Sequence, residues 1–377
     1  MTELRVLLTV SGTIPVDLDE AVAGGSRPKA DYRVIAERIG ADLVDVPAAM
    51  TSTGRIGRRL GRIGGAGAVL AWYCWRRRND YDVVLTDGEQ VGLPLALLAR
   101  LSPWTGRGAR HVMIVHVLST RSKRAVLRLG RLAPLIDRFV VYATSQRDVV
   151  VDEFGVSPHR VVLTPFMVDT AFFRAETSTV DAGRVICSAG LERRDYPTLM
   201  EAVDGLDVEV VIAAASPWSK QPDSSSRRAI PANVAIERLS LHELRAVYER
   251  AALVVMPLDD VDFQAGITTM LEAMSMGRPV ICSRTPGQTD TIVDDENGVY
   301  VPPGDAGRLR SAIVALLDDA ERRSRLGSAA REWAERHADV ERYADRLAEV
   351  VAASDDSPSA RPSADERGDA SSDRDPD

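Results

Sequence analysis

The sequence is poor in the residues that usually announce a chemistry. Its 377 residues include three cysteines, five histidines and 5% aromatic residues. Cys74, Cys187 and Cys282 lie far apart, are odd in number and lack metal-ligand spacing. That argues against a disulfide framework or a zinc site and reads them as small buried apolar residues. Lysine occurs only at Lys29, Lys123 and Lys220, so positive charge is almost all arginine. The net charge of −8 leaves no general basic footprint. Nucleic acid is therefore not expected as a partner, and an anionic ligand must be held by a local site. No basic, apolar and small-residue leader follows Met1, which predicts a cytoplasmic protein. No apolar run reaches the about 20 residues that a membrane span needs. The first apolar run is followed by neither Gly-x-x-x-x-Gly-Lys-Ser/Thr nor Gly-x-Gly-x-x-Gly, so the standard phosphate-loop and dinucleotide fingerprints are absent.

What is present is alternation. Short β-rich runs at 4–10, 41–46, 81–86, 111–117, 138–143 and 160–165 are each followed by a stretch with helical spacing. A second series runs through 185–189, 208–213, 233–237, 253–257, 279–283 and 298–301. Strands alternating with helices pack as parallel sheets with right-handed crossovers. The expected fold is α/β, with two doubly wound parallel sheets. The division into domains follows: 1–168, 169–338, a C-terminal helix 339–353 crossing back to the first domain, and an acidic tail 354–377 too polar to order. The C-terminal part reads as helices over 309–317, 324–337 and 340–351. Ligands of such sheets bind at the carboxyl ends of the strands.

The most informative stretch runs from Asp262-Phe263-Gln264-Ala265-Gly266-Ile267-Thr268-Thr269 through Glu272 to Met276-Gly277-Arg278-Pro279-Val280. A strand, a Gly-containing turn and a helix entered near Thr269 aim helix N-terminal N–H groups at the cleft, where they favour a phosphate or carboxylate. Glu272 then falls in the first turn, where it either binds two vicinal ribose hydroxyls or closes a Thr269-x-x-Glu272 capping box. Further back, Arg193 and Arg194 follow Gly190 in a turn that by itself reads as a solvated loop. His116 ends a strand and points into the crevice. Asp87 and Glu89 follow another strand, as acceptor-orienting carboxylates or as a helix cap. Gly12 lies in the first βα turn.

These motifs, in this order, resemble the signature of the retaining glycosyltransferases of family 4. The fold the resemblance implies is GT-B, two Rossmann-like domains facing each other across a cleft. Glu272 matches the second glutamate of the family's Glu-x7-Glu pattern, while Gln264 stands where the first is usual. The resemblance implies a nucleotide-sugar donor held by Gly12, Arg193, Arg194, Gly266, Ile267, Thr268 and Glu272. His116 and Gln264 are then the catalytic candidates, and Asp87 and Glu89 the acceptor side. Asp169 and Phe172 fall in the family's interdomain segment and are read as fixing the hinge. The implied reaction is transfer of a sugar with retention and without metal or cofactor. The alternative is a sugar-nucleotide or glycan binder that has lost transfer, a reading favoured by Gln264, which cannot act as a base.

The acceptor is not legible. Its loops fall at 54–67 and 119–124, where the family pattern is weakest. Arg55, Arg58, Arg59 and Arg62 precede an apolar run, Ile63 to Trp75, that is interrupted by glycines and closed by Arg76, Arg77 and Arg78. Over 55–78 two readings stand: an in-plane helix on an anionic membrane surface, consistent with a cell-envelope or lipid-linked acceptor, or a core-packed crossover helix with solvated arginines.

Overall fold

A computed structural model of the chain describes residues 4–101, 108–118, 120–176, 183–214 and 230–353. The expected acidic tail, part of the 166–182 linker and Ser119 of the loop 119–124 lie outside the described residues.

The first half folds as β1 (Val6–Val10), α1 (Leu18–Ala23), α2 (Asp31–Ile39), β2 (Ala41–Asp45), α3 (Val46–Arg77), β3 (Val83–Thr86), α4 (Glu89–Leu101), β4 (Arg110–Val115), α5 (Arg121–Leu129), β5 (Arg138–Val141), α6 (Thr144–Asp148) and β6 (Val161–Leu163). The second continues with β7 (Val185–Ala189), α7 (Tyr196–Val203), β8 (Glu209–Ala213), β9 (Val234–Glu237), α8 (Leu241–Arg250), β10 (Leu253–Met256), α9 (Ile267–Ser275), β11 (Val280–Ser283), β12 (Val299–Val301), α10 (Ala306–Asp318), α11 (Ala320–Trp333) and α12 (Val340–Ala352). Each expected strand is present, most of them shortened at one or both ends; β7 keeps its expected bounds and β4 begins one residue earlier.

The strands form two six-stranded sheets, in the orders β2-β1-β3-β4-β5-β6 and β12-β11-β10-β7-β8-β9. Every strand pair in them is parallel. Central strands are buried on both faces: Val83, Leu85 and Val115 in the first sheet, and Cys187, Val254 and Cys282 in the second, are fully buried. Unbroken Val/Ile/Leu runs suit that position. The three cysteines are free and buried, and burial pushes the Cys74 and Cys282 thiols up to about 12.

The strand order reverses between β1 and β3 in one sheet and between β7 and β10 in the other. At such a switch point the loops at the carboxyl ends diverge to opposite faces and leave a crevice. The chain crosses between the sheets twice. Val168 donates to the Ala338 carbonyl at 2.8 Å and accepts from Val340 N at 3.0 Å, so the two crossings pair side by side. Asp169 fixes this point, accepting from Ala171 N and Phe172 N at 3.1 Å and from Lys29 N at 2.8 Å. Beyond the crossing, Tyr343, Ala344 and Leu347 of α12 pack in one core with Val6, Leu8 and Val34.

The arginine-flanked segment divides instead of forming one helix. Gly54 (φ 57°) and Gly65 (φ 70°) interrupt α3 with backbone conformations that L side chains rarely adopt. After the second break, Val69, Leu70, Ala71 and Cys74 are fully buried, so residues 66–77 are a core-packed crossover helix. Between the breaks, Arg55, Arg58, Arg59, Arg62, Ile56 and Ile63 are exposed. A single in-plane helix over 55–78 is therefore corrected, because its second half is inside the protein. No helix among the described residues is long and apolar enough to cross a membrane.

Candidate active site

At the second switch point, the loop after β7 meets the loop between β10 and α9. Arg193 has a left-handed backbone (φ 54°), a strained choice for a non-glycine residue. It is held there by its neighbours. Its carbonyl accepts from Asp259 N at 3.0 Å, Asp195 N donates to the Pro257 carbonyl at 3.0 Å, and Arg194 bridges Leu258. The result sends the two arginines in opposite directions: Arg193 is exposed at the rim and Arg194 is buried. Arg194 donates through Nε to the Ala189 carbonyl (2.8 Å), through Nη1 to the Glu192 carbonyl (2.9 Å) and through Nη2 to Thr269 Oγ1 (3.3 Å). Two left-handed glycines make room for it, since a Cβ on Gly190 or Gly266 would lie 2.6 or 2.5 Å from its guanidinium. Of the two arginines expected to hold a donor diphosphate, Arg194 is thus buried, its donors joining the β7 loop to the start of α9 and placing a charge beneath that helix.

Gly266 (φ 75°) caps α9, and no side chain caps the helix. Its first N–H groups and its dipole therefore open on the crevice beside the Arg194 charge, an arrangement that attracts an anion. Thr268 is exposed in this turn, whereas the Ile267 side chain is in the core, leaving only its N–H for a ligand. The helix begins two residues before the expected entry at Thr269, so Glu272 lies in its second turn and the Thr269–Glu272 capping box does not form. Glu272 is buried instead and accepts from the Tyr248 hydroxyl at 3.0 Å. Burial pushes its carboxyl up to about 7, against the lowering effect of Tyr248 and Arg194.

Gln264 is half-buried in the loop before Gly266. Buried Gln288 fixes that loop by donating to the Ala265 carbonyl at 2.5 Å, and Gly287 lets the next turn approach, since a Cβ there would lie 2.1 Å from the Phe263 carbonyl oxygen. Asp262 and Phe263 face Leu118, Ser145, Gln146 and Val149 of the first domain across a narrow gap. Gln264 is thereby brought to the wall opposite the loop that carries His116.

At the first switch point, the turns after β1, β3 and β4 are tied together. Asp87 accepts from Ser11 N at 3.1 Å, and its other carboxylate oxygen lies 3.4 Å from His116 Nε2. Asp87 is therefore part of the site floor and not the cap of α4. Gly12, next to Ser11, is half-buried, and its carbonyl accepts from Val46 N at 3.2 Å. Glu89 is corrected as an acceptor-facing group. Its side chain is fully buried, and its oxygens accept from His116 N (3.2 Å), Val117 N (2.6 Å) and Lys123 Nζ (3.2 Å). It shapes the His116 loop. Burial opposes its charge, but Lys123, His116 and backbone N–H groups hold its carboxyl below the usual range.

His116 is half-exposed. Burial disfavours its charge, but the Asp87 hydrogen bond and the carboxylates of Asp87, Glu89 and Asp31 outweigh that and raise its pKa. Asp31, absent from the sequence-based candidates, stands at the start of α2. Burial first, then Asp87, pushes its carboxyl up to about 6. The Tyr142 ring centroid is 5.6 Å from that of His116, and the Tyr142 and Tyr343 hydroxyls are 2.7 Å apart. His111, on the β4 strand that leads to His116, is a contrast: buried against Thr86 Oγ1 at 3.0 Å, with burial pushing it down to about 4, it is a core histidine.

With this geometry in view, comparisons with known proteins are informative. Residues 186–319 match the family Glycosyl transferases group 1. The MMP alpha-(1->4)-mannosyltransferase of Mycolicibacterium hassiacum is 26% identical over 280 residues, 67% of this chain and 65% of that protein. A D-inositol 3-phosphate glycosyltransferase of Acidothermus cellulolyticus is 25% identical over 52% of this chain and 49% of its own. The chain thus spans about half to two thirds of the length of these relatives. The Anabaena protein HepE, solved with UDP-glucose, superposes with a TM-score of 0.66 at 14% identity, over 92% of this chain and 99% of that one. The fold is GT-B.

Proposed function

For a chain whose second domain matches the group 1 glycosyltransferases, we propose transfer of a sugar from a nucleotide-sugar donor to an acceptor held by the first domain, with retention at the anomeric carbon and without metal. The observation that carries this is the uncapped α9 N-terminus at the β7/β10 switch point, with the Arg194 charge beneath it and Glu272 buried one turn on. Helix N–H groups, Arg193 at the rim and the Arg194 field offset the charge of the leaving diphosphate. Glu272 exchanges or shares its Tyr248 bond to accept from ribose hydroxyls. Gly12, in the first βα turn, approaches the donor phosphates from the other wall.

Chemistry then belongs to the facing walls. His116, set by Glu89 and Asp87, contacts the transferred sugar or the attacking hydroxyl. Gln264 offers neutral hydrogen bonds to sugar hydroxyls from the opposite side. Asp87 and Asp31 supply the acceptor-side carboxylates. The protein's contribution is positioning and charge, since no nucleophilic side chain is needed when the acceptor attacks on the face that the leaving group departs from. The exposed arginines of 55–64 support peripheral contact with an anionic membrane surface. A second reading, a donor binder without transfer, is favoured by Gln264 alone.

The test is thermal unfolding with UDP, GDP, ADP and TDP and their sugars, for wild type and Glu272→Ala. A native-state ligand at a hundred times its dissociation constant raises stability by about 2.7 kcal/mol. Stabilisation of wild type by one nucleotide class, lost in the variant, is expected; no response to any nucleotide overturns the donor site. Release of free sugar or transfer from the matching donor separates the enzyme from the binder.

A further inference from the structure

The first domain holds a groove of about 330 Å³ along α3, walled by Val46, Met50, Ala66 and Val69, with Arg58 and Arg62 at its edge. It exists because α3 is broken at Gly65, which turns the segment 55–64 away from the core-packed segment 66–77. Gly61 keeps it open, because a side chain there would grow from a Cβ 3.4 Å from Val69 Cγ2 and 3.9 Å from Met50 Cε. Arg58 and Arg62 are spaced i,i+4 within one helical segment and so share a face. Neither forms an ion pair among the described residues, and α3 contains no acidic residue.

The groove adjoins the turns that carry the first-domain side of the site, without sharing lining residues with it. Val46 donates to the Gly12 carbonyl, and Gly67 packs so closely on Gln90 that a Cβ would lie 2.0 Å from its carbonyl oxygen. Gln90 Nε2 donates to Ser11 Oγ at 3.0 Å and to the Asp87 carbonyl at 3.2 Å. The turns that carry Gly12, Asp87 and Gln90 therefore pack against α3, beside the groove.

We propose that this groove is the acceptor subsite for a phosphate ester with an apolar arm: Arg58 and Arg62 clasp the phosphate and the aliphatic walls take the arm. This rests on the glycosyltransferase reading. Two guanidinium forks match phosphate oxygens, whereas a neutral acceptor would leave both arginines without a role. Such an ester can come from a bilayer headgroup or from a water-soluble metabolite.

The test uses octyl phosphate below its micelle concentration, inorganic phosphate, and vesicles of phosphatidylcholine with and without phosphatidylglycerol. Calorimetry and co-sedimentation are read on wild type, Arg58→Ser/Arg62→Ser and Gly61→Leu. Octyl phosphate binding well above that of inorganic phosphate is expected, weakened about tenfold per arginine removed and lost in Gly61→Leu, whose added side chain fills the groove. That pattern with octyl phosphate identifies a soluble ester; binding only to the anionic vesicles, lost in both variants, identifies a headgroup. Binding of neither, or binding indifferent to both variants, overturns the subsite. Nucleotide-dependent stabilisation, located in the other domain, is measured on every variant: its retention shows that the variants fold, and its absence from wild type defeats the donor reading while leaving the groove result to stand.

Discussion

At the scale of single residues, Glu272 has an environment that works against folding. Its carboxyl is pushed up to about 7 by burial, against an ordinary value of 4.5. Between those values the unfolded chain releases the proton while the folded chain keeps it, so stability falls as pH rises through this window and stays reduced above it. Glu272→Gln removes the ionisation and keeps an acceptor for Tyr248. The variant is expected to gain on the order of 2–4 kcal/mol at pH 8, little or nothing at pH 4, and to lose nucleotide binding. Chemical denaturation at the two pH values checks it; a loss of stability at pH 8 would falsify the assignment of Glu272 as a group kept for function. On the opposite wall, Asp31 at about 6 and the raised His116 predict a turnover profile with an acidic limb near pH 6. Asp31→Asn is expected to move that limb, while a uniform drop at all pH values would make Asp31 a mere packing residue.

Elements are more legible than contacts. Each strand is a short apolar run closed by polar or turn residues, and in parallel sheets such runs need no partner information to be recognised. Gln264 and Glu272 are visible only through the resemblance to the family's Glu-x7-Glu pattern, since spacing alone leaves Glu272 open between a ribose ligand and a capping box. Asp31 is not, because it reaches His116 only when α2 folds over the first sheet, and Tyr343 arrives there from the far end of the chain. Glu89 reads as an acceptor-orienting carboxylate or a helix cap because nothing local announces that Lys123 and two later N–H groups will enclose it. The start of α9 is misplaced in the sequence because Thr269 and Glu272 imitate a capping box, whereas the cap is left-handed Gly266. That glycine answers two demands at once, φ 75° and room for Arg194. Gly266→Ala is expected to destabilise the protein by about 2–4 kcal/mol and to abolish nucleotide binding, whereas Thr268→Ala, exposed in the same turn, leaves stability unchanged within about 0.5 kcal/mol. Equal effects of the two would remove the special role of the cap.

For the whole molecule, the two domains are joined on one side by the paired crossings at Val168 and Val340, and elsewhere by a contact that crosses the cleft. Thr144, opening α6 of the first domain, donates to Asp290 of the second through its N–H at 3.0 Å and its hydroxyl at 2.5 Å. The helix N-terminus of α6 adds to the attraction for that carboxylate. The contact is exposed and links no core, so it contributes little to either domain's stability, yet it is well placed to bias the angle between them. In the transfer proposed above, closure of the two domains excludes water and brings the His116 and Gln264 walls together. The α9 side of the proposed donor site, with Arg193, Arg194 and Glu272, lies within the second domain, so breaking the contact leaves that side intact and disfavours only the closed arrangement. Thr144→Val with Asp290→Ala is therefore expected to leave the melting temperature nearly unchanged, increase the radius of gyration seen by X-ray scattering, and lower turnover more than nucleotide affinity. Scattering profiles identical to wild type would mean that the paired crossings alone set the domain angle, and that the Thr144–Asp290 contact is a consequence of closure and not one of its causes.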